Sequence, residues 1–206
     1  MKSPIAALLL PLVLSASAVA QQTWVVVSMG GPGSDFTTID AAIQASSNGD
    51  LILVEAGSYA GFRLDRSVRI IGRGSVTTTT RSFVIAVNGS LPACVANLRS
   101  DGLQVQSCSS TIVLTDCTEL LDVTVDSCAD VRFARCGLVA RYAGGFPWTG
   151  WTAVRFSRAE FSDCTIVGMH LLWDATEALE LVSSFVHLAG TSVTGLHGLE
   201  PCTGWS

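Results

Sequence analysis

A chain of 206 residues carrying 17 acids, 12 bases and a net charge of −5 is long enough for one domain with a sizeable core. Its acidic balance and lack of any basic run exclude nucleic acid as a partner and disfavour adhesion to an anionic membrane surface. Charged residues make up only 14% of the chain, and Gly, Ser, Thr and Val abound, which suits a β-rich protein with tight turns.

The N-terminus carries Lys2, an apolar stretch from Ile5 to Leu14 and the small-x-small site Ala18-Val19-Ala20. This pattern predicts a secretory signal peptide over residues 1–20, cleaved after Ala20, and therefore a secreted or cell-envelope protein. The apolar run is too short for a bilayer, which needs roughly 20 residues, so no membrane span is expected after cleavage. With its only lysine removed, the mature chain has a net charge of −6.

Trp24 to Val27 reads as a strand, followed by the turn Gly30-Gly31-Pro32-Gly33. A helix is expected from about Thr38 to Ser46, capped by Thr37 with Asp40 three residues on. Ile39, Ala42 and Ile43 give it one apolar face. Residues 21–50 are thus a strand and a capping helix, and residues 51–206 the body of the fold. Strands follow at Leu51 to Glu55, Val68 to Ile71 and Phe83 to Val87, with turns expected at Gly57, Gly61, Gly72 and Gly74.

From Leu103 onward one short pattern recurs, apolar-x-apolar-x-x-Cys. Its copies end at Cys108, Cys117, Cys128, Cys136 and, more weakly, Cys164, and two later copies end at Ser184 and Thr191. Alternation of period two marks strands with one buried face. Recurrence without intervening helices marks coils stacked as a solenoid. The expected fold is all-β, a single-stranded right-handed parallel β-helix with a short N-terminal capping helix.

Cys108 and Cys128 lie 20 residues apart and Cys117 and Cys136 19 apart, about one coil in each case. Stacked equivalents then sit about 4.8 Å apart, farther than the Cβ spacing of about 3.8 Å that a disulfide prefers. A buried column of small residues is favoured over obligatory bridges, because Ser184 and Thr191 occupy the same place.

The stretch Gly33-Ser-Asp-Phe36-Thr-Thr-Ile39-Asp-Ala-Ala-Ile43, then Gly49-Asp50-Leu-Ile-Leu-Val54, Gly57-Ser-Tyr59 and Ile70-Ile-Gly72, resembles the N-terminus of pectinesterases and of the wider pectin-lyase-like group. The resemblance implies a helix-capped right-handed β-helix. Pectinesterases carry Q-A-V-A-L-R and D-F-I-F-G segments for acyl transfer, and neither occurs here. The calcium and arginine motifs of pectate lyases and the paired aspartates of polygalacturonases are also missing, and a shared fold alone does not carry an activity over.

No catalytic residue, cofactor or metal site is therefore expected. Asp116, Asp126 and Asp163, or Asp122 and Asp130, could line a ridge for glycoside chemistry or weak calcium binding, but such positions on a β-helix usually serve turns. His170, His187 and His197 lack ligand spacing. The interruption from Tyr142 to Gly150 brings Phe146, Trp148 and Trp151 close in sequence; these are the candidate ligand-binding residues, flat faces suited to sugar rings. The expected function is a secreted, non-catalytic protein that binds extracellular polysaccharide or envelope proteins. The alternative is a carbohydrate-active enzyme of pectinesterase or lyase type with an unrecognised site.

Overall fold

The computed structural model describes residues 21–78, 83–140, 152–168 and 179–195. The expected signal peptide at 1–20 and the aromatic interruption lie outside them. Every strand ladder among the described residues is parallel, and the strands form one 13-stranded and one 6-stranded sheet. The fold is an all-β parallel β-helix with three faces.

The first face runs through Thr23–Val26, Leu51–Tyr59, Arg69–Thr78, Ala93–Ala96, Thr111–Thr115, Asp130–Ala134, Arg158–Ser162 and Phe185–Ala189. The second stacks Arg99–Ser100, Leu120–Leu121, Gly137–Ala140, Thr165–Gly168 and Ser192–Gly195. It joins the first because Arg69–Thr78 bends around the corner and pairs on both sides. The third stacks Arg63–Leu64, Phe83–Ile85, Leu103–Gln106, Val123–Asp126, Thr152–Arg155 and Leu179–Val182.

Spacing in sequence becomes register in space. Val105 pairs with Val125, and Val125 with Val154. On the first face Val95, Leu114, Phe133 and Phe161 stack inward, and the two phenylalanine rings lie 4.8 Å apart at 5°. These side chains are fully buried, so the core is a set of apolar columns running along the solenoid axis.

The helix Ile39–Ala45 buries Ile39, Ala42 and Ile43 against the first coil, as the apolar spacing predicted. Its cap is Thr38 rather than Thr37: the Thr38 hydroxyl accepts from the Ala41 N–H at 3.3 Å. Arg66, from the next coil, donates to the carbonyls of Gln44 and Ser46 near the C-terminus of this helix. Asp50 locks the junction, accepting from the N–H groups of Gln22 and Ser47 and from the Trp24 indole.

Gly72 and Gly74 do not end a strand, as the sequence suggested, but lie inside Arg69–Thr78. A Cβ on Gly72 would stand 2.2 Å from the Asn97 carbonyl oxygen, so glycine is required there for close approach. Gly57 likewise sits within Leu51–Tyr59, at a register shift against the neighbouring strand.

The repeated cysteines form two columns at two corners. Cys108 and Cys128 continue into Ser157 and Ser184 where the third face turns into the first. Cys117, Cys136 and Cys164 continue into Thr191 where the first face turns into the second. All six cysteines among the described residues are free thiols. Each column residue follows a residue in left-handed backbone: Ser107, Ser127, Phe156 and Ser183 at one corner, Asn97, Asp116, Arg135, Asp163 and Gly190 at the other, with φ between 47° and 58°. That conformation sends its N–H along the axis to the next coil, as from Asp116 to the Ala134 carbonyl and from Ser127 to that of Arg155, both at 3.0 Å.

The column position asks for more than smallness. Its side chain donates to the carbonyl two residues back: Cys164 to Ser162 at 3.3 Å, Ser157 to Arg155 at 2.6 Å, Thr191 to Ala189 at 3.2 Å. From Cys108 and Cys117 onward every such position holds a small residue with one S–H or O–H donor, whereas the coil before Cys117 places the buried Leu98 there.

Candidate functional site

The outer surface of the second face carries an open groove of about 500 Å³, lined by Thr77, Arg99, Ser100, Asp101, Glu119, Leu121 and Val139. The strands there are as short as two residues, so consecutive coils place turn residues close to strand residues. Leu120 pairs with Ser100 and points inward, so Leu121 faces outward and pairs with Val139 on the coil beyond. These two side chains make an apolar floor. Arg99 and Glu119 form an ion pair across neighbouring coils, and with Asp101 and Thr77 they make polar walls. The Arg99 Nε is buried without a hydrogen-bond partner.

Such a surface can receive a flat molecule with one apolar face and hydroxyls at its rim. It offers donors from Arg99 and carboxylate acceptors from Asp101 and Glu119. A general acid has to carry a proton, and Glu119 instead faces a guanidinium, an arrangement that suits binding better than proton transfer.

Phe146, Trp148 and Trp151 lie outside the described residues. His170 and His197 also lie outside. His187 sits 3.7 Å from Glu160 on the outer first face.

The aspartates separate. Asp116 and Asp163 share the corner between the first and second faces, with Arg135 between them in the stack. Asp126 ends a third-face strand, Asp122 occupies a second-face turn, and Asp130 begins a first-face strand. Arg135 binds Asp116 through two nitrogens, at 2.6 and 2.8 Å. That hydrogen bonding, with help from the Thr115 hydroxyl and against slight desolvation, holds the Asp116 carboxyl down at about 2. Among the described residues, no group of three or more His, Cys, Asp or Glu could hold a metal ion.

Arg135→Ala is expected to return the Asp116 carboxyl to the ordinary range near about 4 in an NMR titration. Because the folded carboxyl titrates below its unfolded value, the pair's contribution is present above about pH 4 and fades as pH falls toward about 2. Both side chains are half-exposed, so the cost at neutral pH is at most about 1 kcal/mol. An unmoved Asp116 titration would show the pairing to be absent in solution.

The groove was not visible in the sequence, because its residues come from four coils and share no motif. No helix among the described residues is long and apolar enough to cross a membrane. Comparison of the chain with protein-family models, with curated proteins and with solved structures finds no match.

Proposed function

We propose that the chain is a secreted, non-catalytic β-helix protein that binds extracellular polysaccharide along its second face. The observation that carries this reading is the groove itself, an apolar floor of Leu121 and Val139 between polar walls. Sugar rings present C–H faces to such a floor and hydroxyls to such walls. The segment with Phe146, Trp148 and Trp151, adjoining Val139 in the chain, is the natural source of further ring contacts. The pattern of Lys2, Ile5 to Leu14 and Ala18-Val19-Ala20 supports export. The pectin-lyase-like resemblance of the N-terminus agrees with a carbohydrate ligand, while the missing catalytic segments favour binding over turnover.

The reading is tested by retention of the protein on immobilised polysaccharides, neutral and uronic, together with assays for methanol release and unsaturated products. Retention on at least one polymer is expected, weakened about tenfold or more by Arg99→Ala or Asp101→Ala and by the pair Trp148→Ala and Trp151→Ala. No retention on any polymer would end the proposal. Product release in either assay would replace it with the enzymatic alternative.

A further inference from the structure

The two-thiol column at the corner between the third and first faces differs from an ordinary buried cysteine site in where its neighbours come from. Cys108 and Cys128 occupy equivalent places on adjacent coils, and the Ala129 N–H donates to the Cys108 carbonyl at 2.8 Å. The strands leading into them are in register, Gln106 opposite Asp126. Their α-carbons are therefore separated by about one strand spacing, about 4.8 Å, which lies inside the roughly 4.4–6.8 Å range that a disulfide spans. Only the Cβ atoms need to close, by about 1 Å. The residues before them, Ser107 and Ser127, are turn residues with left-handed backbone rather than ladder residues. The closing movement is thus taken up in two turns, and no strand pairing has to break.

We propose that Cys108 and Cys128 are a thiol–disulfide exchange site for small-molecule disulfides, which convert the pair into an intercoil disulfide. In the first step the Cys108 thiolate attacks one sulfur of the small disulfide. A Cys108 mixed disulfide forms and one small thiolate leaves. In the second step Cys128 gives up its proton and attacks the Cys108 sulfur, expelling the second small thiolate. Two protein thiols are oxidised, one small disulfide is reduced to two thiols, and the two protons end on those thiols.

The order of attack follows from the placement of the two thiols. The neighbouring Cys128, against desolvation, brings Cys108 down to about 7, while the neighbouring Cys108 and burial push Cys128 up. The thiols are almost wholly buried, 2% and 4% exposed, so exchange proceeds through brief opening of the corner and stops once the bridge closes. The three-thiol column is a poorer substrate. Cys117 is likewise lowered by its neighbour Cys136, whose own thiol is pushed up to about 12, but Cys117 has no exposed surface at all, so that corner must open further before a small disulfide reaches it.

The experiment uses the full folded chain, reduced and desalted, incubated with excess oxidised glutathione. Samples are quenched in acid, alkylated and mapped by mass spectrometry without reduction. A Cys108–Cys128 cross-linked peptide is expected, appearing before any cross-link within the other column. Cys128→Ser is the decisive variant, and it is expected to fold because serine already fills that column at Ser157 and Ser184. With no second thiol to resolve it, this variant should keep one glutathione on Cys108. Absence of the cross-link in the wild type, earlier closure of Cys117–Cys136, or a Cys128→Ser chain without an adduct on Cys108 would each overturn the proposal.

Discussion

Replacing Phe133 by alanine is expected to cost about 3–5 kcal/mol, the usual loss for a buried phenylalanine whose cavity cannot collapse. The ring is 1% exposed and lies flat against Phe161 in the middle of the first-face column, with Leu114 on the coil before it. Collapse is resisted because the coils on either side are tied by backbone ladders that fix their separation near the strand spacing. Phe133→Leu keeps much of the volume and is expected to lose far less, about 1 kcal/mol. Urea unfolding followed by circular dichroism measures both. Met29→Ala, at a side chain 93% exposed, serves as the control and should stay within about 0.5 kcal/mol of the wild type. Similar midpoints for Phe133→Ala and Met29→Ala would mean that the inward column does not exist.

The second large effect is expected at Asp50. Alanine there would leave three donors without their acceptor: the Gln22 N–H at 2.9 Å, the Ser47 N–H at 2.8 Å and the Trp24 indole N–H at 3.3 Å. Bonds to a charged acceptor contribute about 1.5–3 kcal/mol each. Because Gln22 is exposed, water replaces part of the loss, and a net cost of about 3 kcal/mol at neutral pH follows. Burial works to raise the Asp50 carboxyl, but the bonds from Ser47, Gln22 and Trp24 outweigh it and the net shift is downward. A carboxyl lowered by folding stabilises above its unfolded value, near about 4, and stops doing so as pH falls through its folded value. Asp50→Ala should therefore differ most from the wild type at neutral pH and converge with it in acid. Parallel stability curves at pH 7 and pH 3 would refute this account.

The architecture was legible where the physics is periodic. Inward side chains one coil apart must stack, so Val105 over Val125 and Cys117 over Cys136 could be read from spacing alone. The helix was legible because its apolar face and its end-covering role point the same way. Its cap was misplaced by one residue because the hydroxyl oxygens of Thr37 and Thr38 are equally able to accept from a first-turn N–H. Ser157 was missed as a column member because Thr152, a polar residue, stands where the repeat expects an apolar one, yet Thr152 is fully buried. Gly72 was misread as a turn because its reason is a carbonyl from the next coil, 25 residues away in sequence at Asn97. The groove was illegible for the same kind of reason. Arg99, Glu119 and Leu121 meet through stacking, and no local pattern marks which outward residues will be concave together.

The corners differ in how much chain they hold, and this bears on how such a molecule can change. Between the first and second faces, five successive turns follow strands through a left-handed residue, and four of them close in two residues: Asn97-Leu98, Arg135-Cys136, Asp163-Cys164 and Gly190-Thr191. An extra residue there would pull a donor out of its column and an N–H off its axial partner. Between the second and third faces the number of residues from one strand to the next ranges from one, at Asp122, to 11 after Ala140. Chain length therefore varies at one flank while the strands on either side keep their register, so insertions there leave the pitch of the solenoid unchanged.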